Sequence, residues 1–238
     1  MAYETITATI EHGIGRLTLN QPDKLNPLGT NTLQDIIDAT TWFNKENISV
    51  VIVSGNGRAF TAGFDLREFT NTDSTGKDGA VLGREMAEAV DRMKPVTIAS
   101  LHGYCIGGGV VLASACDLRI ASENTTFSIP EVDLGIPLAW GGIPRLVREI
   151  GPAMTKELVM TCRPFDAEEA KSLGFINRVV KDADLESQTM NMAEAIRKRP
   201  QSVIETTKNQ VRAATDDLAS TKNEWVGDCL LYTSPSPR

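Results

Sequence analysis

Apolar and polar residues alternate near the start of the chain, over residues 6–10 and again over 17–19. A period of two places the apolar side chains on one face of a β-strand. Gly13 and Gly15 lie between the two runs, and glycine is typical of tight turns. The pattern therefore predicts a β-hairpin with its turn at residues 13–15.

Helical spacing follows the hairpin. Apolar residues recur every three to four positions over 33–43 and 82–93, which predicts two amphipathic helices, the first capped by Asn31. Short β-branched runs at 48–53 and 96–101 predict buried strands. This alternation of strands and helices favours an α/β architecture with helices packed on the faces of a sheet.

Helices predominate in the last third of the chain. Asp166, with Glu169 three residues later and Gly174 beyond, has the pattern of a helix that is capped at both ends. Amphipathic residues at 183–226, interrupted at Pro200, predict two or three further helices.

Composition narrows the class of protein. The 238 residues are 41% hydrophobic and 23% charged, as in globular proteins with a sizeable core. The formal net charge of −7 argues against nucleic acid or an anionic membrane as a partner. The first residues lack the apolar core of a signal peptide, so we expect a cytoplasmic protein. The four cysteines form no C-x-x-C pair, and we expect no metal site.

Two glycine-containing loops are candidates for ligand binding. They are RAFTAGFDL at 58–66 and HGYCIGGG at 102–109, and the second runs directly into an apolar segment. Glycines at the start of a helix leave backbone N–H groups open to a ligand. Neither loop has the G-x-x-x-x-G-K-[ST] or G-x-G-x-x-G pattern, which disfavours nucleotide phosphate. A tight packing turn is the remaining structural interpretation of the glycines.

One carboxylate stands out in an apolar segment, at Glu131 after Pro130 in FSIPEVDLGIP. Burial disfavours the charged form of a carboxyl and raises its pKa, which suits a general base that works near neutral pH. Spacing alone favours the structural interpretation, in which Glu131 is an exposed loop acid or a helix N-cap.

Taken together, these segments resemble the enoyl-CoA hydratase/isomerase, or crotonase, family. The resemblance rests on the order of AGFDL (62–66), HGYCIGGG (102–109), ACDLRIA (115–121) and FSIPEVDLGI (127–136). It implies a crotonase-type superhelix of β-β-α turns, followed by a C-terminal helical region that builds homotrimers or dimers of trimers (hexamers).

The same resemblance implies three regions of chain. Residues 1–182 form the crotonase core with the CoA-ester site, and residues 183–228 form the C-terminal helical oligomerisation region. Residues 229–238 read CLLYTSPSPR, which resembles a translated sequencing adapter, and we interpret them as a non-native tail.

The resemblance also implies an oxyanion hole. Its two donors are the backbone N–H groups of Phe64 and Gly108, and Glu131 is the acid/base that works beside them. Fixed N–H dipoles stabilise the negative charge that develops on a thioester oxygen when an α-proton is removed. CoA enters as part of the substrate, and we expect no separate cofactor. The implied contacts of the CoA ester are Lys24, Leu25, Ala62, Phe64, Asp65, Leu66, Gly108 and Pro130.

The chain departs from the family pattern at Val111, where hydratases carry their first catalytic glutamate. Family members that keep only the second glutamate resemble Δ3,Δ2-enoyl-CoA isomerases. We therefore expect double-bond isomerisation or hydration of an enoyl-CoA thioester, and a catalytically silent acyl-CoA-binding protein is the alternative. Ala139 likewise replaces an acid of the dienoyl-CoA isomerase branch.

Four further residues have two interpretations each. Asp133 is a candidate second acid, although its position two residues from Glu131 predicts that it points the other way. We expect His102 to hydrogen-bond backbone rather than to catalyse. Cys105 and Trp140 are candidates for the lining of the acyl pocket, and apolar packing explains both equally well.

Overall fold

The described part of the chain, residues 3–65 and 79–216 of a computed structural model, alternates strands and helices. The strands are β1 (Ile6–Glu11), β2 (Ile14–Leu19), β3 (Val50–Gly55), β4 (Val96–Leu101), β5 (Tyr104–Ile106), β6 (Leu118–Ser122), β7 (Thr126–Ser128), β8 (Phe165–Asp166) and β9 (Arg178–Val180). The helices are α1 (Thr30–Phe43), α2 (Gly79–Asp91), α3 (Gly108–Ala115), α4 (Gly142–Thr161), α5 (Ala167–Ser172), α6 (Leu185–Arg197) and α7 (Gln201–Asp216).

Two sheets organise these elements. The larger has the strand order β1-β2-β3-β4-β6-β9, and every pair except the antiparallel β1–β2 hairpin is parallel. The smaller has the order β5-β7-β8, with β5 and β7 parallel. All six residues of β4 are buried, as expected of a central parallel strand covered on both faces. The α/β architecture predicted from the alternation is confirmed.

The β1–β2 hairpin is confirmed, but its turn comes one residue earlier than predicted. Glu11 pairs with Ile14, so the two-residue loop is His12–Gly13, with φ angles of 51° and 78°. Positive φ at both positions is the signature of a type I′ turn, whose twist matches that of the strands. Gly15 belongs to β2, where it pairs with Ile10. A Cβ at Gly15 would approach the Phe43 side chain to 2.8 Å, so a larger residue would be crowded there.

Capping was predicted correctly at one helix and wrongly at another. Asp166 caps α5 by accepting a hydrogen bond of 2.8 Å from the Glu169 N–H. Asn31, in contrast, lies inside α1, whose N-cap is Gly29 with extended backbone. The helix begins earlier because the Leu33 N–H already bonds the Gly29 carbonyl at 2.9 Å.

The predicted C-terminal helices are present as α6 and α7, which flank Pro200. Residues 217–238, including the tail interpreted as non-native, lie outside the described residues, and so does the predicted contact residue Leu66. Within the described ranges no helix is both long and apolar enough to cross a lipid bilayer.

Candidate active site

Three segments lie side by side at the centre of the site, at residues 25–28, 61–64 and 105–108. A parallel bridge joins Leu28 to Phe64, and a second joins Thr61 to Cys105. The segment at 61–64 therefore runs between the other two. Both glycine loops singled out in the sequence contribute to this layer.

Asn26 ties the first segment to the second. Its side chain is buried, and Nδ2 donates to the carbonyls of Asn56 and Ala59 at 2.9 Å each and of Phe60 at 3.2 Å. Its Oδ1 accepts from the Gln21 N–H at 2.8 Å. These contacts satisfy three carbonyl groups that would otherwise lose water on burial. Sequence analysis missed this role, because the partners are backbone atoms about 30 residues away.

Thr61 continues the connection towards the loop. Its hydroxyl donates to the Asn26 carbonyl at 2.6 Å and accepts from the Gly63 N–H at 3.0 Å. Its methyl group lies directly against Gly109, where a Cβ would overlap it. Thr61 thus fixes the 61–64 loop to the 25–28 segment and to helix α3.

The two loops expected to supply the oxyanion donors lie in contact. Gly63 has φ 90°, and a Cβ there would lie 2.7 Å from the Ile106 carbonyl oxygen and 3.8 Å from the Gly108 nitrogen. Gly108 is the first residue of α3. The first N–H groups of a helix have no acceptor within it and carry partial positive charge. The loop thus holds Phe64, which follows Gly63, next to the start of α3.

Glu131 reaches this point through the small sheet. Strand β7 pairs with β5, and the Gly107 N–H extends the pairing by donating to the Ser128 carbonyl at 2.9 Å. Three residues further on, the Glu131 carboxyl lies over Gly107, where a Cβ would come within 2.5 Å of Oε1. Only glycine leaves room for the carboxyl at this position, which has φ 51°.

The environment of Glu131 changes its acidity. The side chain is half-buried, and its buried Oε2 atom has no hydrogen-bond partner among the described residues. Burial raises the pKa of Glu131 to about 7, and a backbone hydrogen bond within the same residue opposes this only in part. A carboxyl that titrates near neutral pH can both accept and return a proton.

The two positions where the family pattern has further acids, Val111 and Ala139, are apolar in this chain. Val111 is fully buried, and its Cγ2 would lie 2.9 Å from a Cβ at Gly142. Ala139 is half-buried and packs against the core. Asp133 is exposed, in contrast to Glu131. Glu131 is thus the carboxylate that the described residues bring to Gly107.

Trp140 packs against both glycine-containing loops. A Cβ at Gly108 or at Gly83 would overlap its indole ring, and its ring meets that of Phe64 edge-on at a centroid distance of 5.8 Å. Trp140 has φ 63°, unusual for a bulky residue. The buried Arg145 donates from Nη1 to its carbonyl at 3.2 Å.

Several of the residues expected to contact CoA lie in or next to the 25–28 segment. Lys24 is exposed and, with Asp65, lines an open cleft of about 360 Å³. Leu25 has φ 60°, and its carbonyl accepts from the Ala62 N–H at 2.9 Å. Pro130 is half-buried beside Glu131. A contact between Lys24 and a CoA phosphate stays a prediction.

The side chain and the carbonyl of His102 both contact backbone. Its Nε2 is 2.9 Å from the Gly57 carbonyl oxygen, and its own carbonyl accepts from the Phe60 N–H at 2.9 Å. The expectation that His102 bonds backbone is confirmed.

Comparison with known proteins identifies the protein family. The family model for enoyl-CoA hydratase/isomerase matches residues 9–233. A crotonyl-CoA hydratase of Syntrophomonas wolfei is 35% identical over 211 residues, 87% of this chain and 81% of the relative. The peroxisomal Delta(3,5)-Delta(2,4)-dienoyl-CoA isomerase of Arabidopsis thaliana is 33% identical over 208 residues, 81% of this chain and 75% of the relative. The chain belongs to the enoyl-CoA hydratase/isomerase family and is an enzyme of the hydratase/isomerase type.

The fold agrees with this assignment. A crystal structure of an enoyl-CoA hydratase subunit from Geobacillus kaustophilus superposes with a TM-score of 0.84 at 33% sequence identity. The match covers 98% of this chain and 91% of the other. The crotonase-type fold expected from the sequence is confirmed.

Proposed function

We propose that this enzyme moves the double bond of an enoyl-CoA thioester, with Glu131 as the one group that transfers the proton. The observation that carries the proposal is the meeting of one half-buried carboxyl with two glycine loops, in a chain that has apolar residues, Val111 and Ala139, at the other positions where the family pattern has acids. A double-bond shift needs one acid/base, because the same group removes and returns the proton.

The reaction proceeds in two proton transfers. The Glu131 carboxylate removes a proton from C2 of a 3-enoyl-CoA, and the electron pair of that C–H bond moves through the C1–C2 bond onto the thioester oxygen. The resulting dienolate oxygen accepts hydrogen bonds from the backbone N–H groups of Phe64 and Gly108. Protonated Glu131 then delivers the proton to C4, the carbonyl re-forms, and the double bond lies between C2 and C3.

The backbone N–H groups act where the charge develops. Their positions are fixed by neighbouring segments, through Thr61 on one side and the start of α3 on the other. A donor that is already oriented needs little reorganisation, and losing one typically costs about 10²–10³ in rate. The partial positive charge at a helix N-terminus adds to the stabilisation.

Hydration of a 2-enoyl-CoA is the second candidate. The similarity to the crotonyl-CoA hydratase of Syntrophomonas wolfei favours hydration. Water addition requires a group that deprotonates water and a group that protonates the α-carbon. With Val111 at the first position, Glu131 would have to serve both steps in turn, and we expect hydration to be the slower reaction.

Product analysis separates the two reactions. The enzyme is incubated with a 3-enoyl-CoA and, separately, with a 2-enoyl-CoA, and the products are identified by mass spectrometry and NMR. We expect an isomer of unchanged mass from the 3-enoyl ester. A product heavier by one water, formed faster than any isomer, would establish hydration instead.

Glu131→Gln separates an enzyme from a silent acyl-CoA-binding protein. The amide keeps the size of the side chain but cannot act as a base, so we expect turnover to fall by about 10²–10⁴-fold while CoA-ester binding is kept. Asp133→Asn is the matched control, because this exposed acid lies two residues away. Binding without turnover in the unmodified chain would favour the silent protein.

A further inference from the structure

We infer that Trp140 forms the end wall of the acyl pocket and restricts this enzyme to short-chain acyl-CoA thioesters. The inference rests on the proposed function for the position of the thioester carbonyl between Phe64 and Gly108. It starts from an unusual feature of the fold, a tryptophan wedged between two glycines in different helices.

The indole lies directly against both α2 and α3. A Cβ at Gly83 of α2 would overlap atoms Cε2 and Nε1 of the ring, and a Cβ at Gly108 of α3 would overlap Cζ3. Both helices therefore contact the ring through the backbone of a glycine, without an intervening side chain. Trp140 is only 7% exposed, so little space beside the ring is left for a ligand.

The position of the ring relative to the thioester determines its effect. The 61–64 segment has the proposed CoA contacts of 25–28 on one edge and residues 105–108 on the other. Trp140 lies on the second side, against Gly108 and edge-on to Phe64. An acyl chain that leaves the oxyanion hole away from CoA therefore meets the indole after a few carbon atoms.

The wall is held in place. The Trp140 and Gly141 carbonyls accept hydrogen bonds from Arg145 Nη1 at 3.2 and 3.0 Å, and Arg145 is itself buried and faces Asp91 at 3.7 Å. A rotation of the ring would also break its contact with Phe64. We therefore expect a fixed limit on chain length rather than a gate that opens for longer chains.

Binding of saturated CoA thioesters tests the inference without depending on catalysis. Butyryl-CoA and decanoyl-CoA have no double bond to move or hydrate, and their dissociation constants are measured by calorimetry for the natural chain and for Trp140→Gly. Glycine suits the positive φ at this position. We expect the natural chain to bind butyryl-CoA at least tenfold more tightly than decanoyl-CoA, since even one methylene too many in an apolar pocket is discriminated by about 10–200-fold.

The variant should lose this preference for the shorter thioester. We expect Trp140→Gly to bind decanoyl-CoA at least tenfold more tightly than the natural chain does, with butyryl-CoA affinity changed by less. Trp42→Ala is the control, because Trp42 is half-buried in α1 and makes its ring contact with Phe43. Trp140→Phe, a smaller ring that fills part of the space, should fall between the two.

Three results would overturn the inference or its basis. Equal affinity of the natural chain for both thioesters would contradict the inference that Trp140 limits chain length. This measurement needs only the natural chain, so it remains possible if Trp140→Gly does not fold. An unchanged preference in folded Trp140→Gly and Trp140→Phe would do the same. If the natural chain bound neither thioester, the proposed function would fail together with the inference, whereas loss of chain-length preference alone would leave the proposed function intact.

Discussion

At the scale of single residues, the acidity of Glu131 sets the pH dependence of activity. Burial raises the pKa of this carboxyl to about 7, and the reaction requires its ionised form. We expect kcat/KM for isomerisation to rise about tenfold per pH unit below this value and to level off above it. Initial rates from pH 5 to 9 measure the profile. A flat profile between pH 5 and 8 would show that another group is the base.

The same raised pKa has a consequence for stability. An unperturbed glutamate has pKa 4.5, so between pH 4.5 and about 7 the folded protein holds the Glu131 proton more tightly than the unfolded chain does. The folded state therefore loses stability as the pH rises through this window. Glu131→Gln removes the buried charge, and we expect it to be more stable than the natural chain at pH 8 by about 1–3 kcal/mol.

Urea denaturation at pH 4.5 and pH 8 measures this difference. The advantage of Glu131→Gln should be small at the lower pH, where the carboxyl of the folded protein is already neutral. Asp133→Asn, at an exposed position, should show no comparable change. A variant that is less stable than the natural chain at pH 8 would contradict the account of burial.

The sequence identified some residues of the candidate site and not others. Glu131 was recognisable because a carboxylate directly follows a proline in an otherwise apolar segment, and Gly108 because it belongs to three consecutive glycines that precede an apolar run. Asn26 and Thr61 were not, since their bonds go to backbone atoms of distant residues. A polar residue that satisfies backbone carries no signal in its own neighbourhood.

At the scale of elements, the turn at Gly107 joins strand β5 to helix α3 and carries the Glu131 carboxyl. A Cβ at Gly107 would come within 2.5 Å of Glu131 Oε1, so we expect Gly107→Ala to displace the carboxyl and to lower kcat at least tenfold. CoA-ester affinity should change much less, since the carboxyl is not needed to hold CoA. Steady-state kinetics with a 3-enoyl-CoA measure the split.

Gly135→Ala is the matched control for this turn. Gly135 also has positive φ, 75°, but no atom lies within 4 Å of its Cβ position. Both variants place alanine at a positive φ, and only one disturbs the carboxyl. Equal losses of kcat would show that strain, rather than displacement of Glu131, causes the effect.

The small sheet was the element that sequence patterns could not predict. Strands β5, β7 and β8 have three, three and two residues, too few for a period to be recognised. They owe their conformation to pairing with one another. This sheet is nevertheless what brings Glu131 to Gly107, so the motifs indicated which residues matter but not how they meet.

At the scale of the whole molecule, the fold class and the first four strands of the larger sheet, β1 to β4, followed from hydrophobic patterning. The order of its parallel strands did not, because patterning identifies strands without their neighbours. Assembly into trimers or hexamers stays a prediction. The apolar side chains of Met160, Val203 and Val211 are exposed on the single chain, and they are the first positions to substitute when assembly is studied.

The central claim is that one carboxylate both removes and returns the proton while backbone amides hold the dienolate. The most direct measurement uses 3-butenoyl-CoA carrying two deuterium atoms at C2, with NMR and mass analysis of the product. We predict crotonyl-CoA with part of the deuterium at C4, formed by the natural chain and at least 10²-fold more slowly by Glu131→Gln. Equal rates for the two proteins, or no deuterium at C4 in either product, would contradict the account.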